Sequence, residues 1–135
     1  MKHLLLLLLF VPLGVVAYGS ERSNTVLVHP GETIYARFTQ KGTKLKLISA
    51  TKEKDDQAQV VVELAAVDPT KKEMITFKVI NNFALELRYR AEVKVMKESV
   101  PLPPTTSRAV GGKMSLEKLP PFTEEVAVTA FVLVK

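Results

Sequence analysis

The chain has 135 residues, 19 Lys and Arg against 14 Asp and Glu, a formal net charge of +5, and no cysteine or tryptophan. That length is enough for one domain with a self-supporting core, and 47% hydrophobic with 24% charged residues excludes disorder throughout. The missing cysteines exclude a disulfide scaffold, a thiolate zinc site and a cysteine nucleophile. The mild positive excess favours anionic surfaces and falls short of the dense basic stripe of a nucleic-acid binder.

Residues 1–19 read as a secretory signal. Met1, Lys2 and His3 form a basic start, Leu4 to Leu9 is an unbroken leucine run, and Phe10 to Val16 stays apolar apart from Pro12 and Gly14. Ala17-Tyr18-Gly19 then offers small residues for a signal peptidase. The apolar run is shorter than the roughly 20 residues of a membrane span, although an N-terminal anchor is the competing reading. Cleavage is expected after Gly19, with Ala17 as the alternative. Processing removes Lys2 alone among the charged residues and lowers the net charge from +5 to +4. A cysteine-free exported domain without an Asn-x-Ser/Thr site suits a bacterial envelope protein, periplasmic or secreted.

Residues 20–135 are expected to form one domain, because period-two alternation runs through most of them. A short strand, 25–28, leads to the turn residues His29-Pro30-Gly31. Residues 32–39 alternate with Ile34, Ala36 and Phe38 inward, and Gln40-Lys41-Gly42 turns the chain into 43–50, with Leu45 and Leu47 inward and Lys44 and Lys46 outward. Residues 51–57 form a charged loop. The apolar run 60–67 reads as a central strand, and Asp68-Pro69-Thr70-Lys71 as a turn. Residues 73–80 place Ile75, Phe77 and Val79 inward, and Asn81-Asn82 suits a tight connection because Asn tolerates left-handed backbone. Residues 83–95 form the clearest strand, with Leu85, Leu87, Tyr89, Ala91, Val93 and Val95 on one face and Glu86, Arg88, Arg90, Glu92 and Lys94 on the other.

Pro101-Leu102-Pro103-Pro104 reads as a stiff crossing between sheets. Residues 105–115 read as a loop or weak edge strand around Gly111-Gly112, and Pro120-Pro121 breaks the chain before a final strand, 124–134, whose second half is apolar on both faces. Seven or eight strands at this turn spacing predict an all-β sandwich or barrel, and a single antiparallel β-sandwich is the expectation taken forward.

Nothing in the chain assembles a catalytic or cofactor site. After processing, His29 is the sole histidine and is read as a solvent-exposed turn residue, too little for a serine triad or a zinc site. Glu53, Asp55 and Asp56 are interleaved with Lys52 and Lys54, which compete for the carboxylates. Glu63, Glu86 and Glu92 sit on strands without a cleft for paired-acid hydrolysis. Gly111-Gly112 lacks the Gly-Lys-Ser/Thr of a phosphate loop. The expectation is therefore a protein that is not an enzyme and holds no cofactor or metal.

Three features are candidates for binding. The first is the outer row Arg88, Arg90 and Lys94, which forms a basic patch if the strand carrying Lys44 and Lys46 lies nearby. The second is the stiff segment Pro101, Leu102, Pro103 and Pro104 with Thr105, Thr106, Ser107 and Arg108, since a rigid exposed loop loses little entropy on binding. The third is the final strand, either central or a pairing edge.

The run Ile80-Asn81-Asn82-Phe83 leading into Leu85-Glu86-Leu87-Arg88-Tyr89-Arg90-Ala91 resembles small secreted bacterial proteins of uncharacterised function with an immunoglobulin-like β-sandwich. The resemblance covers about a third of residues 20–135, lacks the Cys-Trp-Cys core of true immunoglobulin domains, and transfers no site residue. The functional expectation is an exported, non-enzymatic binding or structural module. Its partner is a protein or an envelope component and not nucleic acid, and no membrane-spanning segment follows the signal. A β-barrel carrier of an apolar ligand and a carboxylate-dependent hydrolase are the alternatives.

Overall fold

Alternating apolar residues become strands throughout the chain, and in the computed structural model these join one antiparallel sheet with no helix among the described residues. The structure describes residues 19–20, 24–68, 70–102 and 107–135. Nearly all of the expected signal segment, and the site candidates Pro103, Pro104, Thr105 and Thr106, lie outside the described residues.

The strands are β1 (Gly19–Ser20), β2 (Thr25–Val28), β3 (Thr33–Lys41), β4 (Lys44–Thr51), β5 (Val60–Leu64), β6 (Ile75–Asn81), β7 (Glu86–Val95), β8 (Glu98–Pro101), β9 (Arg108–Ala109), β10 (Met114–Leu119) and β11 (Thr123–Val134). The sheet runs β1-β2-β11-β4-β3-β5-β6-β10, and β7 lies along the other edge of β11 and carries β8 and β9. It curls into a half-barrel around one core built from the inward residues of β2 to β7, β10 and β11. The inward sets named from alternation on β3, β4 and β6 are all buried, and on β7 Leu87, Tyr89, Ala91 and Val93 are buried while Leu85 and Val95 are half-buried.

β11 is central, paired on both edges. One edge meets β7 over most of its length; the other meets β2 at Val126–Val128 and β4 at Val132. A one-residue bulge lies between Thr129 and Val132, where Ala130 takes φ 54°. The extra residue reverses the inward face. Val126 and Val128 point inward before it and Phe131 and Leu133 after it, so Val132 becomes 37% exposed. The double-sided apolar pattern at this strand's end therefore reflects a change of face rather than burial on both sides. Phe131 packs on Phe38, ring centroids 4.9 Å apart.

Other departures from expectation have local causes. The run 60–67 is strand only to Leu64, beyond which a bond from Ala65 N–H to Thr76 O still reaches β6. Met96 and Lys97, both at positive φ, turn β7 into β8, a hairpin that the sequence hides because it lacks the usual Gly or Asn. In place of the expected crossing between sheets, the residues on either side of the proline segment bond to one edge: β8 and β9 both pair with the same edge of β7, Leu102 N–H donates to Ala91 O, and Ser107 O accepts from Tyr89 N–H. The span read as loop or weak edge strand holds β9 and the six-residue β10, which pairs with β6.

Three amide side chains take the place of missing backbone partners. Asn24, at φ 49°, donates to Leu45 O and accepts from Leu47 N–H. Gln59 does the same for Phe38, opposite the bulge that leaves Ile48 exposed. Asn81 is fully buried; it donates to Leu85 O and Ala109 O at 2.8 and 3.0 Å and accepts from Phe83 N–H, tying β6 to β7 and β9. Left-handed backbone falls at Asn24 and not at the Asn81-Asn82 connection, where the side chain does the work. Gly111 is pressed against this junction, and a Cβ there would lie 2.0 Å from Ala84 O. Beside it, Tyr89 Oη bonds Ser115 Oγ at 2.6 Å and brings β10 back toward β7.

Asn81→Leu is expected to lower stability by about 3 kcal/mol, since each buried group left unpaired costs roughly 1–3 kcal/mol. Urea unfolding checks this, and a loss too small to measure would remove the clamp from the account. Ala130→Gly is expected to raise stability by up to about 1 kcal/mol by relieving left-handed backbone, and Ala130→Val to lower it; paired thermal melts give the sign.

Candidate binding surface

The outer face of β7 is built by alternation. With Leu87, Tyr89, Ala91 and Val93 in the core, Arg88, Arg90 and Glu92 project outward and are exposed. An Arg88 N–H donates to Glu86 Oε2 at 2.9 Å. Against β7, an open groove of about 700 Å³ is lined by Arg88, Arg90, Pro101, Leu102, Ser107 and Ala130, among others. The structure thus gathers Arg88, Arg90 and Pro101 at one groove. It sets Arg108 directly opposite Arg88 in the β7–β9 register. Lys94 lies apart, opposite Glu125 on β11. Leu102 and Ser107 belong to the stiff segment that the sequence offered; Ala130 was not among its candidates, because only the bulge in β11 brings it to the groove.

The strand carrying Lys44 and Lys46 is one strand removed from β7. Val132 of β11 is the register partner of both Lys44 and Arg88. Lys46 is opposite Thr39 and lies farther along.

A second polar cluster ties the β2–β3 turn to β11. His29 is a turn residue with its side chain 44% exposed, as expected, but it is also paired with two carboxylates. Its Nδ1 is 2.9 Å from Glu32 Oε1 and its Nε2 is 2.8 Å from Glu125 Oε2, while Lys52 Nζ is 2.9 Å from Glu32 Oε2. Burial pulls the His29 pKa down, but the hydrogen bonds and charges of Glu32 and Glu125 together outweigh it and raise the value above 6.5. Burial likewise pushes Glu32 up, and the bonds from Lys52 and His29 overcome it and hold its carboxyl below 4.5.

The acidic loop also has an internal partner. Arg37 grips both oxygens of Asp55, with Nη2 2.7 Å from Oδ1, and this hydrogen bond lowers the Asp55 pKa. The cation on Asp55 is thus Arg37 from β3, while the flanking Lys54 lies 3.9 Å from Asp56 Oδ1. Glu63 is 3.3 Å from Lys78. Among the described residues no group of three His, Cys, Asp or Glu side chains is placed to hold a metal ion, and no helix is long and apolar enough to cross a membrane.

No protein-family model, curated protein or solved structure matches this chain.

His29 sets a pH dependence. Its folded pKa is raised, so its contribution is complete below pH 6.5 and is lost as the pH rises through the folded value; that of Glu32 is complete above 4.5 and is lost as the pH falls through its own. Thermal melts are expected to show highest stability between those limits, with a decline on the alkaline side that His29→Gln abolishes. An equal alkaline decline in the variant would assign the effect elsewhere.

Proposed function

We propose that the chain is an exported, non-enzymatic binding module of the bacterial envelope, and that its contact surface is the β7 face with the adjoining groove. The observation that carries this reading is the convergence of Arg88, Arg90, Pro101 and Leu102 on one open groove, with Arg108 beside it. A groove of this kind, mostly apolar with a few placed polar groups, is the usual form of a binding site. Export rests on the basic start, leucine run and small-residue end of residues 1–19. The competing carrier reading needs a void inside the curl. The inward side chains of both halves instead belong to one continuous buried cluster, which favours a solid scaffold with an external site.

The finer architecture we propose is an immunoglobulin-like sandwich in which β2, β7 and β11 form one half and β3 to β6 with β10 the other. The reading is supported by inward residues from both halves, Val126, Val128 and Leu87 with Ile34, Val62 and Phe77, meeting in that cluster.

Crosslinking from intact host cells with the exported chain as bait is expected to recover one stoichiometric envelope partner, and Arg88→Ser with Arg90→Ser to lose it. Recovery of no partner, together with a small apolar molecule found by mass spectrometry in the purified chain, would overturn the reading in favour of a carrier. N-terminal sequencing of the exported form is expected to begin at Tyr18 or Ser20.

A further inference from the structure

The half-barrel aligns charges that lie far apart in the sequence. Lys41 is opposite Lys44 across the β3–β4 hairpin, Lys44 opposite Val132, Val132 opposite Arg88, and Arg88 opposite Arg108. Residues directly opposite in an antiparallel pair share a face, so these five side chains form one row across β3, β4, β11, β7 and β9. All five are exposed. Four strand-to-strand steps give the row a length of about 19 Å. Lys41, Lys44 and Arg108 have no ion-pair partner among the described residues, and Glu86 on Arg88 is the one carboxylate bonded to the row there.

Two of the steps, Lys41 to Lys44 and Arg88 to Arg108, set like charges directly opposite, an arrangement that destabilises a sheet. A bound anion removes that penalty. We propose that this row is a binding site for a linear acidic polysaccharide, with the four cations reading successive carboxylates or sulfates and Val132 meeting the apolar face of a sugar ring. The proposal rests on the reading of the chain as an exported binding module and supplies its ligand class.

The geometry favours this ligand over others. An extended peptide adds to a free strand edge, whereas the middle of this row is β11, whose edges are both paired. A lipid surface takes apolar anchors along with its cations, and Val132 is the row's single apolar member. Single-stranded nucleic acid takes aromatic platforms, and the row has none. A chain of charged sugars needs cations along a line, and the row supplies two pairs at the strand spacing, one on each side of Val132.

The test measures binding of the purified chain to polygalacturonate, with uncharged dextran and phosphatidylglycerol vesicles in parallel. Polygalacturonate is expected to bind at low salt and to weaken as salt rises. Lys44→Ser with Arg108→Ser is expected to lose about tenfold in affinity, as two exposed charge contacts would, and the charge-matched control Lys54→Ser with Lys71→Ser to bind like the parent. Circular dichroism confirms that both variants are folded. Equal binding of dextran, equal losses in the two variants, or binding to the vesicles alone would each overturn the proposal. If polygalacturonate is ignored while the crosslinked partner is still captured through Arg88 and Arg90, the row fails and the binding-module reading stands; if both are absent, both fall.

Discussion

The structure depends on one residue too many in β11. A strand's side chains alternate strictly, so a regular strand passing from β2 to β4 would have kept its first apolar set inward to the end. The bulge at Ala130 inverts that set and lets one strand serve two neighbours on one edge. Phe131 and Leu133 thereby enter the core against Phe38, and the sheet bends where curling requires it. The left-handed conformation of a non-glycine residue costs about 1–2 kcal/mol, small beside the burial of a Phe and a Leu at about 1.5–3 kcal/mol each.

A curled sheet interrupted by bulges leaves backbone groups without strand partners, and a buried unpaired amide is expensive. Amide side chains resolve this, because an Asn or Gln carries the donor and acceptor of a peptide unit. Asn24 and Gln59 each bond both ways to a strand, and Asn81 joins three segments at the junction of β6, β7 and β9. No buried side-chain polar atom among the described residues lacks a partner. Such satisfied amides specify register, a task that cross-links would share in a disulfide-bonded domain. On β10, the end strand of the sheet path, Glu117 has the parity of the inward Ser115, a placement that discourages pairing with another chain.

Bulge and binding surface are parts of one device. By turning Val132 outward, the bulge sets it between Lys44 and Arg88, and Ala130 itself lines the groove. The groove lies on β7 beside Leu102 and Ser107, each of which bonds to that strand's backbone. The charged outer face of β7 follows from the simplest rule in the fold, alternation. Its association with Lys41, Lys44 and Arg108 follows from the curl and the register.

The sequence by itself determined the all-β class, the inward residues of β3, β4, β6 and β7, and the outward position of Arg88 and Arg90. All of these rest on a local period of two that neighbouring strands do not alter. Turns marked by Gly31 and Gly42 were equally legible, because their positive φ demands glycine chemistry. The hairpin at Met96-Lys97, the strand β10, the ion-paired state of His29 and the change of face in β11 were not. Each arises when a distant segment supplies hydrogen bonds or charge that local propensity does not encode: β7 for β8, β6 for β10, Glu125 for His29, and β4 for the end of β11. The cationic row is the extreme case. Its members span residues 41 to 132, and only strand order and register, set by burial across the whole sheet, place them on one line.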